Sequence, residues 1–72
     1  MKEEISLTYA KQNYKRNELK YGIVSAFENA ILEYYLQKEE IKSLYEYILK
    51  ISNLSKMEKY NLENKLNEYI NA

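Results

Sequence analysis

The sequence contains no cysteine, histidine, aspartate, tryptophan or proline, and it has one glycine, Gly22. Without cysteine, neither disulfides nor thiolate–zinc sites can hold the chain together. Without histidine, cysteine and aspartate, the usual pairs of nucleophile and base cannot be assembled, and the carboxylate–histidine sets of di-iron bundles are excluded. We therefore expect a protein that is not an enzyme, with no catalytic residues, no metal site, no cofactor and no small-molecule substrate.

Long apolar runs are also missing. No stretch of about 18 apolar residues is present to form a transmembrane helix, and the first residues lack the apolar core of a signal peptide. We expect no membrane association and a cytoplasmic location. The abundance of Lys, Asn, Ile, Tyr and Glu is typical of an AT-rich coding sequence, and it suggests a low-GC bacterium, a phage or another mobile element.

The charge balance disfavours a general role in nucleic-acid binding. The chain has 11 basic and 11 acidic residues and a net charge of zero, whereas nucleic-acid binders usually carry an excess of Lys and Arg. Its 72 residues allow a single domain, 1–72. A chain of this size buries only about 60% of the surface that its unfolded form exposes, so its stability is expected to be small.

Helical periodicity predicts an all-α protein, because a sustained period-two pattern and hairpin turns are both missing. The predicted helical segments are residues 3–15, 17–36, 40–52 and 56–70. Ser55 and Glu58 have the capping-box pattern, and Asn17 is a candidate N-cap. The expected fold is a small bundle of three to four helices, and its completion by homodimerisation stays open. Residues 1–15 are predicted as a loosely docked helix, with a mobile arm as the alternative.

The polar stretch Gln37–Glu40 has two interpretations. Apolar residues repeat every seven positions across it, at Phe27, Tyr34, Ile41 and Ile48, which favours one continuous helix over 17–52. Such a helix would be about 54 Å long, and a monomer of this size could not cover it, so it would require a dimer. Because Gln37 and Lys38 would then lie on the apolar stripe, a bend near Gln37–Glu40 is the favoured interpretation.

Tyrosine is unusually frequent, with nine residues in this short chain. Tyrosine buries a large ring but keeps a polar hydroxyl, so it suits the margin of a core. Several tyrosines and leucines fall outside the main apolar stripes, and an exposed apolar–aromatic patch usually marks a contact surface. The predicted protein interface consists of Tyr21, Leu32, Tyr35, Leu36, Tyr45 and Tyr47. The expected function is that of a small non-enzymatic regulator, inhibitor or accessory subunit that binds another protein.

Two alternatives remain open. Residues 9–21 interleave tyrosines with the basic residues Lys11, Lys15, Arg16 and Lys20. Such a segment can contact phosphates while its tyrosine rings stack on bases, which is typical of a nucleic-acid-binding accessory protein. The second alternative is a purely structural homo-oligomer, whose aromatic surface meets only another copy of itself.

Overall fold

A computed structural model describes residues 5–71 of the chain. Within this range the chain forms four helices and no strand, which confirms the all-α prediction. The helices are α1 (Ile5–Tyr21), α2 (Ile23–Tyr34), α3 (Lys38–Ile51) and α4 (Lys56–Ile70). Residues 1–4 of the predicted N-terminal arm lie outside the described residues. Among the residues described, no helix has both the length and the hydropathy needed to cross a bilayer.

The boundary between the first two helices lies at Gly22, not near Asn17 as predicted. Gly22 adopts φ 90° and ψ 164°, a backbone conformation that is essentially restricted to glycine. This single residue ends α1 and begins α2. Asn17 lies inside α1, where its Nδ2 donates to Asn13 Oδ1 at 3.2 Å, so the prediction of Asn17 as an N-cap was wrong. Residues 9–21 therefore belong to one helix.

The predicted bend between α2 and α3 is confirmed, and the backbone conformation of Tyr35 produces it. Tyr35 has left-handed dihedrals, φ 52° and ψ 48°, and the N–H of Leu36 donates to the carbonyl of Ile31 at 3.1 Å. This geometry is that of a Schellman motif, in which glycine is the usual left-handed residue. The longest dimension of the fold is 32 Å, which excludes a continuous helix of about 54 Å over residues 17–52.

Glutamates three residues into α3 and α4 satisfy backbone donors at the start of each helix. The predicted capping box of α4 is confirmed: Ser55 Oγ accepts from the N–H of Glu58 at 3.2 Å, and Glu58 Oε1 accepts from the N–H of Ser55 at 2.9 Å. At the start of α3, Glu40 Oε1 accepts from the N–H of Gln37 at 2.9 Å. These bonds satisfy donors that have no partner within their helix.

Hydrogen bonds and ring contacts define the directions of α1, α2 and α3. The Tyr9 ring stacks on Tyr34 with centroids 6.2 Å apart, and Asn29 Nδ2 donates to Asn13 Oδ1 at 3.1 Å, so α1 and α2 are antiparallel. Helix α3 follows the direction of α1: Ser6 Oγ donates to Glu40 near the starts of these helices, and Tyr14 contacts Ser52 near their ends.

All four helices contribute to one core. Its buried apolar residues are Leu7, Ala10, Tyr14, Ala26, Phe27, Ala30, Ile31, Leu36, Ile41, Leu44, Ile48, Leu62 and Leu66. Residues 5–15 therefore contribute to the core instead of forming an arm, since Leu7, Ala10 and Tyr14 are buried. Helix α2 contacts each of the other three helices, as its broad apolar surface predicts. A single chain covers this core with its own helices, and dimerisation is not shown.

Candidate functional site

The residues of the predicted protein interface do not form one continuous surface. Tyr21 and Tyr35 are both exposed, at 56% and 88%. Tyr21 ends α1, however, whereas Tyr35 and Ser6, near the start of that helix, line the same groove. The 17 residues of α1 span about 25 Å, so these two tyrosines lie at opposite ends of the bundle. The expected patch therefore divides into separate surfaces.

Leu36 was predicted to be an exposed interface residue, but it is buried. It retains only 8% of its accessible surface and belongs to the core. The left-handed turn at Tyr35 redirects the chain and places Leu36 in the core together with Ile31, a pairing that frequently accompanies the Schellman motif. The helical periodicity of residues 17–36 did not predict this burial, because Leu36 lies beyond the end of α2.

Tyr45 and Tyr47 lie at the margin of the core. Both are half-buried and pack against the buried cluster. The Tyr45 ring lies 6.5 Å from that of Phe27 in a tilted arrangement, and burial raises the pKa of Tyr45 above its ordinary value. Lys11 Nζ lies 5.0 Å from the centroid of the Tyr47 ring, within the range of a cation–π contact. These two side chains therefore contribute mainly to the fold.

One end of the bundle gathers exposed aromatic and polar groups around Tyr35. Ser6, Tyr35 and the N-terminal residues of α3 line an open groove there. Tyr9, half exposed, lies nearby because its ring stacks on Tyr34. Leu32, 57% exposed, lies about 160° around α2 from Tyr34 and therefore faces another direction. We call Tyr9 and Tyr35 the Tyr35 surface.

Tyr35 combines two properties that are unusual for a tyrosine. A left-handed conformation costs about 1–2 kcal/mol for a residue other than glycine, and Tyr35 is the one residue of this kind in the described part of the chain. Its side chain is 88% exposed, so burial within the monomer does not offset this cost. Glycine or asparagine at this position would satisfy the turn equally well.

A second exposed surface lies on α1, on the side that faces away from the other helices. Its residues fall within an arc of about 140° on a helical wheel. They are Ile5, Thr8, Gln12, Lys15, Arg16, Leu19 and Lys20, all exposed. Tyr9 lies within the same range of angles, but its ring stacks on Tyr34 of α2, so it belongs to the Tyr35 surface. Three of the four basic residues predicted to contact nucleic acid lie on this arc; the fourth, Lys11, is half-buried beside Tyr47. Leu19 is 96% exposed, although no sequence pattern had indicated it.

Partly buried hydrogen bonds join the helices beneath these surfaces. The Tyr14 hydroxyl lies 2.8 Å from Ser52 Oγ, which donates to Glu18 Oε2 at 2.9 Å. Burial raises the pKa of Tyr14 to about 12. Between α4 and α2, the Tyr69 hydroxyl donates to Glu28 Oε2 at 2.7 Å, and burial together with this hydrogen bond raises the pKa of Tyr69 to about 12.

The described residues contain no cluster of acidic side chains arranged to hold a metal ion. Their buried side-chain nitrogen and oxygen atoms all have hydrogen-bond partners, so the interior of the described part offers no unpaired polar group to a ligand. The functional candidates are therefore two surfaces: the Tyr35 surface and the outer arc of α1. Comparison with models of protein families, with curated proteins and with solved structures finds no match to this chain.

Proposed function

We propose that this chain is a small non-enzymatic regulator or accessory subunit whose Tyr35 surface docks on another protein. The observation that carries the proposal is Tyr35 itself, an aromatic side chain 88% exposed on a left-handed backbone. In the monomer this residue costs stability and buries little surface. A bound partner that covers the ring would offset that cost.

The chemistry of the Tyr35 surface suits recognition of a protein. Aromatic anchors that enter a pocket of the partner supply much of the affinity at protein interfaces, and tyrosine also offers a hydroxyl for hydrogen bonding. Tyr9 is supported by its stacking on Tyr34, which reduces the freedom that it would lose on binding. Binding would act by occlusion, since the chain brings no chemistry of its own to the partner.

The proposal is tested by site-specific photocrosslinking in cells that express the chain. A benzoylphenylalanine at position 35 is compared with the same probe at Met57, which is 66% exposed on α4. We expect a crosslink from position 35 to a different protein. An excess of the unmodified chain should reduce the yield of this crosslink, whereas an excess of the Tyr35→Gly variant should not. Because the ring is exposed, that variant keeps the fold and removes only the proposed anchor.

Two outcomes would overturn the proposal. A crosslink from position 35 only to other copies of the same chain would identify a homo-oligomer instead. Crosslinks from position 35 that match those from Met57 in identity and yield would show that the Tyr35 surface has no specific partner. Sedimentation of the purified chain at several concentrations separates self-association from binding to another protein.

A further inference from the structure

The outer arc of α1 has a charge distribution unlike that of the rest of the molecule. Lys15, Arg16 and Lys20 are all exposed on it, and between Ile5 and Tyr21 no acidic residue shares the arc. The one glutamate of α1, Glu18, is half-buried on the other side of the helix, where it accepts the hydrogen bond of Ser52. The whole chain is neutral, so this helix face concentrates a positive potential that the net charge conceals.

Leu19 lies at the centre of these cations. Lys15 and Arg16 precede it by one helical turn, and side chains at that spacing are surface neighbours. Lys20 follows it directly in the sequence. At 96% exposure, Leu19 is the most exposed of the large hydrophobic side chains that the structure describes. An apolar tip surrounded by cations is complementary to an apolar pocket rimmed by carboxylates.

We propose that the outer arc of α1 is a second docking surface, and that its occupant is an acidic amphipathic helix or loop of a partner protein. Leu19 would enter the apolar part of that segment, while Lys15, Arg16 and Lys20 meet its carboxylates. Opposite charges around an apolar contact guide the encounter and fix its orientation. The apolar contact itself supplies binding free energy through the surface that it removes from water.

An acidic protein fits this surface better than a nucleic acid does. Phosphate contacts are polar and favour a face that is uniformly cationic, whereas the most exposed side chain on this face is a leucine. Lys20 Nζ also lies 5.6 Å from the centroid of the Tyr21 ring, so one of the three cations already has an intramolecular contact. The zero net charge further weakens long-range attraction to a polyanion.

The outer arc and the Tyr35 surface are separate. Leu19 lies ten residues beyond Tyr9 on α1, about 15 Å along the helix axis. A substitution of Leu19 therefore leaves the Tyr35 surface intact, and a substitution of Tyr35 leaves the arc intact. This second proposal does not depend on the first, and each can fail without the other.

The test is an NMR titration of the isotope-labelled chain, which detects weak binding residue by residue. The probe is a synthetic amphipathic helix of about five turns, with leucines on one face and glutamates on the other. Its control is the same peptide with lysine in place of every glutamate. We expect the acidic peptide to shift the backbone amide signals of residues 12–20, and the lysine peptide to leave them in place.

Matched variants separate specific docking from general attraction. Leu19→Ser and Arg16→Glu should each weaken binding of the acidic peptide by about tenfold. Lys42→Glu, which makes the same charge change at an exposed position of α3, and Met57→Ser, which removes an exposed apolar side chain from α4, should leave it unchanged. All four sites are exposed, so circular dichroism melting curves should remain close to that of the parent.

Four outcomes would overturn the proposal. Two concern the acidic peptide: it shifts no signals of the arc, or it shifts them equally in the Leu19→Ser variant. In the third, a short DNA duplex shifts residues 12–20 while the acidic peptide does not, which would assign the arc to phosphate binding. In the fourth, vesicles containing phosphatidylserine broaden the same signals in the absence of any peptide effect, which would assign the arc to an anionic membrane surface.

Discussion

The hydroxyl of Tyr14, a fully buried residue of α1, lies 2.8 Å from Oγ of Ser52, the residue that follows α3. Ser52 donates in turn to Glu18 Oε2 at 2.9 Å. This chain of hydrogen bonds joins the end of α3 to the helix that carries the outer arc. It therefore fixes the α1–α2 pair, the first hairpin of the bundle, against the α3–α4 pair.

Removing the Tyr14 hydroxyl should cost less stability than removing the Ser52 hydroxyl. Tyr14→Phe leaves Ser52 bonded to Glu18, so we expect a loss of about 1 kcal/mol in the free energy of unfolding. Ser52→Ala leaves the buried Tyr14 hydroxyl with only the 3.5 Å contact to Glu18, and an underpaired buried group costs about 1–3 kcal/mol. Urea denaturation measures both. A smaller loss for Ser52→Ala than for Tyr14→Phe would contradict this assignment.

Alkaline pH should destabilise the fold. Tyr14 and Tyr69 have an ordinary pKa of 10.0, and each is raised to about 12 in the folded state. A raised folded-state pKa stabilises the fold below the unfolded pKa, and this contribution is lost as the pH rises through 10 towards 12. Urea midpoints at about pH 9 and pH 11 should fall more for the parent chain than for Tyr14→Phe/Tyr69→Phe. Equal falls would show that these two hydroxyls do not control the pH response.

Substitutions at the two residues with positive φ should have opposite effects. Gly22→Ala should lower stability by about 1–3 kcal/mol, because φ 90° with ψ 164° is strained for any residue with a Cβ. Clash with other parts of the fold does not contribute, since beyond its chain neighbours a Cβ at this position would meet no atom within 4 Å. Tyr35→Gly should raise stability by up to about 1 kcal/mol. Thermal unfolding of the two variants tests the pair, and a loss of stability in Tyr35→Gly would mean that its ring supports the monomer.

The N-terminus of α4 should depend on its cap. Ser55→Ala removes the oxygen that accepts from the N–H of Glu58, and the loss of such a cap typically costs about 1 kcal/mol. Ser43→Ala is the matched control, because Ser43 is an exposed residue within α3 and alanine is the better helix former. Urea midpoints should fall for the first variant only. Equal changes in both would indicate that the hydroxyl of Ser55 is not a cap in solution.

The sequence predicted the second half of the chain better than the first. Ser55 and Glu58 carry a specific capping pattern, and the boundaries of α4 follow from it. Asn17 was the predicted start of the second helix, because asparagine is a favoured N-cap. The boundary between α1 and α2 instead lies at Gly22, which forms the whole connection. One-residue connections leave no polar loop in the sequence that could reveal them.

The candidate surfaces were predicted less well, for two physical reasons. Tyr35 adopts the left-handed conformation, which a tyrosine in the sequence does not predict, and the turn that it makes buries Leu36. Leu19 is an ordinary apolar residue in the sequence, and only the orientation of α1 distinguishes it from a core leucine. Leu32 and Tyr21 are exposed as the periodicity indicated, but their separation depends on where α1 ends.

The one-residue connection at Gly22 also bears on the order in which the molecule assembles. Contacts between α1 and α2 join residues close in sequence, so closing this hairpin costs little chain entropy. Contacts of α4 with α2, such as Tyr69 with Glu28, span 41 positions and require a much longer closure. We expect the first hairpin to nucleate folding and α4 to dock late. Truncation of the core residue Ile31 to valine should then slow refolding, whereas truncation of Leu62 to alanine should mainly accelerate unfolding.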